Sequence, residues 1–161
     1  MGTNSKALGI MLFICNLLFS YTALSQNENT ISKEMIKYSA KCEFKQELDK
    51  IFNKLKPEDQ KLIFIVNTSI KNNIYQISLT TSYDVKEEDN WIGFCKYRGK
   101  LLLLKSVETK MFFLEIDKST IQIQVENNKK PNGIVQPYLD NLPYWLLEYK
   151  NETFTTKLSA Y

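Results

Sequence analysis

The sequence predicts an α+β domain in which one N-terminal amphipathic helix packs across a curved antiparallel sheet of six to eight strands. Two patterns carry that expectation. Apolar residues recur at steps of three and four as far as Pro57, the period of a helix, and from Lys61 onward they alternate with polar residues, the period of a strand. Composition supplies a third observation. The 161 residues are 43% hydrophobic and hold only 5 Gly and 4 Pro, which is too apolar and too poor in chain breakers for a disordered or linker-rich polypeptide.

In chain order, residues 1–25 read as an export signal: a polar start with Lys6, an apolar stretch from Ala7 to Phe19, and Ala23-Leu24-Ser25 before Gln26. A retained anchor and a lipid-modified Cys15 are the competing readings of this segment, the second disfavoured by bulky Ile14 before the cysteine. Residues 26–161 then form the single domain. Lys33 to Lys56 is expected to be helical, because Ile31, Met35, Tyr38 and Cys42 and then Phe44, Leu48, Ile51 and Leu55 follow helical spacing, with a phase slip near Lys41. Pro57 ends that element. Leu62 to Val66 is apolar on both faces, as a central strand would be. After Asn72-Asn73, alternation from Tyr75 to Tyr83 predicts a half-buried strand.

The acidic stretch Asp84 to Asn90 reads as a loop. Trp91 to Tyr97 and Lys100 to Ser106 flank Arg98-Gly99, whose glycine suits a tight hairpin turn. Met111 to Ile116 and Ile121 to Val125 read as a second hairpin across Asp117-Lys118. Asn127 to Gly133 is an expected exposed turn, Pro137 and Pro143 bracket an irregular piece, and Tyr144 to Tyr149 and Thr153 to Leu158 are two last strands across Asn151-Glu152. The strands follow one another as a meander, a layout similar to that of cystatin-like and NTF2-like proteins by analogy of arrangement alone, with no residue motif behind it.

The function classes narrow by exclusion. The chain has no histidine, so Ser-His-Asp and Cys-His nucleophile pairs, a histidine base and any histidine-containing zinc or iron site are ruled out. A formal net charge of +3, with lysines interleaved among carboxylates and Arg98 as the one arginine, gives no basic face for nucleic acid. Membrane contact is expected only through residues 1–25 if they are not removed. No motif implies a cofactor or a metal: four carboxylates between Asp84 and Asn90 lack the spacing of a calcium loop. Cys42 and Cys95 are an even pair in an exported domain, which favours a disulfide.

Tyrosine and tryptophan are abundant, and such side chains combine apolar area with a polar tip. Trp91 borders the acidic loop and Trp145 lies in the proline-bracketed tail, so these two are the expected partly exposed binding residues. The function expected from the sequence is therefore an exported, non-enzymatic binding protein of the bacterial cell envelope, periplasmic or secreted, taking a protein partner or a small apolar ligand. An inhibitor or toxin-neutralising protein is one concrete form. The alternative is a histidine-free hydrolase using an Asp/Glu acid–base pair such as Asp84 with Glu115 or Glu126.

Overall fold

A computed structural model describes residues 30–86, 89–125 and 142–160. The expected export segment, the Asn127 to Gly133 turn, Pro137 and Glu126 lie outside the described residues.

The first described element is a strand where a helix was expected. Strand β1 spans Thr30–Ala40, and the helix, α1, is confined to Cys42–Phe52. The spacing of Ile31, Met35 and Tyr38 suited either element. In β1, Ile31 and Met35 join one core while Ile36, Tyr38 and Ala40, of the other parity, join a second. A strand buried on alternate sides by two different cores mimics a helical stripe. The phase slip near Lys41 is the strand-to-helix junction: Lys41 is extended (φ −68°, ψ 160°), and its N–H donates to the Phe112 carbonyl at 2.9 Å. Helix α1 has the stripe expected of an amphipathic helix, burying Phe44, Leu48, Ile51 and Phe52, with Glu43 in its first turn and Lys50 in its last, both favourable to the dipole. Pro57 opens a 3-10 turn, Pro57–Lys61, in which the Asp59 carboxylate accepts from the Lys56 N–H at 3.0 Å.

The remaining strands are β2 (Ile63–Lys71), β3 (Ile74–Ser82), β4 (Gly93–Tyr97), β5 (Lys100–Leu104), β6 (Phe113–Gln124), β7 (Tyr144–Lys150) and β8 (Thr153–Ala160). They form one eight-stranded sheet in the order β6-β1-β4-β5-β2-β3-β7-β8. The sheet is mixed, which corrects the expected antiparallel meander and removes the cystatin-like and NTF2-like analogy. Strand is the dominant structure among the described residues, and α1 is a short insertion rather than a long N-terminal helix. β1 runs parallel to β4 (Lys37↔Phe94, Tyr38↔Cys95), and β2 runs parallel to β5 from Ile63↔Leu101 to Val66↔Leu104.

Burial explains the order. Phe64, Val66, Leu102 and Leu104 pack with α1 on one side, while Ile63 and Leu103 pack with Met35, Ile121 and Ile123 on the other. β2 and β5 carry continuous apolar runs that feed both cores, and they take the centre, where both faces are covered. β3 carries Gln76, Ser78, Thr80 and Ser82 on one face and pairs with β2 on the side away from β5.

Three expected hairpin turns are present. Asn72-Asn73, Arg98-Gly99 and Asn151-Glu152 each place two consecutive residues at positive φ, the geometry of a two-residue turn that matches strand twist. The fourth is not: β6 runs unbroken through Asp117 and Lys118, neither of which is at positive φ. Their polarity reflects an exposed edge strand, not a reversal. Met111 and Phe112, expected to open a strand, instead close a 3-10 turn over Val107–Phe112, and β6 begins at Phe113.

The expected Cys42–Cys95 disulfide is not formed; both thiols are free, Cys42 exposed and Cys95 buried. The phase of α1 accounts for this. Cys42 falls off the inward stripe of Phe44, Leu48 and Ile51, whereas Cys95 is packed within the core that this stripe covers. Burial pushes the Cys95 thiol above its ordinary pKa, partly offset by a hydrogen bond with the Ala40 backbone and by Lys45, and so lowers its reactivity. Maleimide at neutral pH is expected to label the Cys42 peptide in the native protein and the Cys95 peptide only after denaturation. Protection of both until a reductant is added would restore the disulfide.

Candidate functional site

The described residues contain a cavity of about 390 Å³ whose walls come from three separate segments. Lys41, Glu43 and Phe44 belong to the start of α1, Met111 and Phe112 to the 107–112 turn, and Tyr149, Glu152 and Phe154 to the β7–β8 hairpin. Its size falls in the range of ligand pockets, and its lining combines aromatic rings and Met111 with three charged side chains.

Each wall is fixed by local structure. Tyr149 and Phe154 are register partners across β7 and β8, so their rings meet at 4.6 Å between centroids. Phe112 lies 5.2 Å from Tyr149 and 5.5 Å from Phe44, and Phe44 lies 5.6 Å from Phe154. These tilted and edge-on contacts make a continuous aromatic floor. The 107–112 turn is held by hydroxyls: Ser106 Oγ donates to the Thr68 carbonyl at 2.7 Å and accepts from the Thr68 N–H at 2.9 Å, and Thr109 Oγ1 donates to Thr68 Oγ1 at 3.1 Å. With the Lys41 N–H bonded to the Phe112 carbonyl, the turn is tied to both β2 and the start of α1. The cavity is thus built on a preorganised frame. Glu43 and Glu152 are exposed at its edge, and neither has a salt-bridge partner among the described residues.

The two tryptophans expected to bind do not come together. Trp145 is only 1% exposed and stacks on Phe64 at 6.1 Å with an interplanar angle of 23°, which overturns its expected exposure. The loop signal of Pro143 ends at once, since β7 begins at Tyr144, and Trp145 falls on its inward face. Trp91 is half-buried, with Lys105 Nζ 5.8 Å from its ring centroid. It borders a second, smaller groove of about 230 Å³ with Lys33, Glu34, Met35, Ile36, Ile92 and Lys118.

The chemistry expected of other groups is not assembled. Asp84 and Glu115 are both exposed, and Val85 beside Asp84 is buried and bridged to Val125, so the acidic loop is partly tied to the sheet. Among the described residues no group of three or more Cys, Asp or Glu is placed to hold a metal ion. The sequence places Phe44 on a helix and Phe112 and Phe154 on strands, and nothing local marks any of them as a site residue. The one local signal pointing to the cavity was Asn151-Glu152, a tight turn with glutamate where glycine is usual.

The fold and this cavity define a mixed-sheet module with an aromatic-floored cleft. Comparison with protein-family models, curated proteins and solved structures gives no match.

Proposed function

We propose that this chain is an exported, non-catalytic binding protein of the bacterial cell envelope that holds a small, largely apolar ligand in the cavity formed by Phe44, Met111, Phe112, Tyr149 and Phe154. The observation that carries the reading is the cavity itself: about 390 Å³, floored by four rings and framed by hydroxyl hydrogen bonds. Burying apolar ligand surface there contributes about 25 cal/mol per Å², and a preformed site loses little of this to ordering. Export is supported by the apolar stretch Ala7 to Phe19 and the small-residue pattern Ala23-Leu24-Ser25. The test is extraction. The protein is incubated with a small-molecule extract of its host, isolated, denatured, and the released compounds identified by mass spectrometry. A compound retained by the wild type and lost with Phe154→Ala is the expected result; an identical profile from both proteins would contradict the proposal.

A further inference from the structure

We infer that the cavity selects an organic ammonium ion carrying an apolar body over neutral and anionic molecules of the same shape, an inference that rests on the binding function proposed above.

Three features converge on a cation. The floor is aromatic, Tyr149 and Phe154 are two of its rings that retain exposure, and aromatic rings attract an organic cation that settles over them. The charged lining consists of two carboxylates, Glu43 and Glu152, against one ammonium, Lys41. Glu43 also serves the positive end of the α1 dipole, whereas no ion pair engages Glu152 among the described residues. The third feature is where Glu152 stands. In the turns at Asn72-Asn73 and Arg98-Gly99 the second residue is Asn or Gly, types that tolerate positive φ. Glu152 adopts φ 59° in the same role, a conformation that disfavours a glutamate, and it does so at the edge of the cavity. Glu152 is accordingly the main cation-binding group, Glu43 assists, and Lys41 opposes them.

The experiment titrates the full chain with three probes that share one apolar body: 2-phenylethylammonium, 2-phenylethanol and phenylacetate. Binding is read by calorimetry. The ammonium is expected to bind about tenfold more tightly than the alcohol, with the carboxylate weakest. Glu152→Gln should reduce that preference to about threefold or less, and Lys41→Gln should increase it. Glu152→Gly should lose the preference in the same way while raising the thermal midpoint, because glycine suits the turn. Equal binding of all three probes would overturn the cation inference and leave the binding function standing. No binding of any probe would overturn both.

Discussion

Replacing Trp145 by alanine is expected to destabilise the protein by about 3–5 kcal/mol, the usual loss when a large core aromatic is truncated. The side chain is almost fully buried, stacks on Phe64, and sits where β7 pairs with both β3 (Leu79↔Trp145) and β8 (Trp145↔Ser159). Truncation would leave a void beside Phe64, and a close-packed interior relaxes around such a void only in part. Set against a total stability on the order of 5–15 kcal/mol for a domain of this kind, the loss is large. Thermal unfolding should shift downward by about 10 °C or more. Trp91→Ala is the control. Its ring is half-buried and its Lys105 contact is of the exposed cation–π type, so a loss of about 1–2 kcal/mol is expected. Equal losses for the two variants would mean that Trp91 is as much a core residue as Trp145.

Gly93→Ala should be nearly as damaging, for the opposite reason. A Cβ at Gly93 would lie 2.4 Å from Tyr38 Cε2 and 2.5 Å from the Ile36 carbonyl oxygen. The carbonyl belongs to the backbone of β1 and cannot swing aside. The Tyr38 ring is buried and set edge-on against Phe113 at 6.5 Å, so it too has nowhere to go. Relief requires β1 to separate from β4 where their register pairs, Lys37↔Phe94 and Tyr38↔Cys95, hold them together. Overpacking against backbone at such a seam costs about 3 kcal/mol. Hydrogen exchange is the informative readout: amides of Lys37 to Ala40 should exchange faster in the variant relative to those of β2 and β5. Unchanged protection along β1 would show that the strand adjusts without opening.

What the sequence revealed divides along a physical line. Turns were legible because positive φ is a local demand: Asn72-Asn73 and Arg98-Gly99 reverse the chain as their residue types implied, and Asn151 marks the third turn although Glu152 beside it does not favour positive φ. The central position of β2 was legible because Leu62 to Val66 is apolar in every position. Pairing was not legible. Nothing within β2 or β5 announces that they lie side by side and parallel, since that pairing joins segments more than thirty residues apart and no local period encodes it. Local period also failed where two cores share one strand, as in β1, and where an exposed edge strand carries polar residues in succession, as in β6 at Asp117-Lys118. The cavity was the least legible feature. Its floor needs Phe44, Phe112, Tyr149 and Phe154 from three segments, and only the fold brings them within 6 Å of one another. Proximity to a loop signal was a poor guide to exposure, as Trp145 shows.

The central claim is that the ligand site is the aromatic cavity and not the groove beside Trp91. Two methionines report on the two places separately: Met111 lines the cavity, and Met35 lines the Trp91 groove. Protein labelled with ¹³C at the methionine methyls and titrated with 2-phenylethylammonium should show the Met111 resonance moving in a saturable way while the Met35 resonance stays in place. Saturable movement of Met35 with Met111 unaffected would contradict the claim and transfer the site to Trp91.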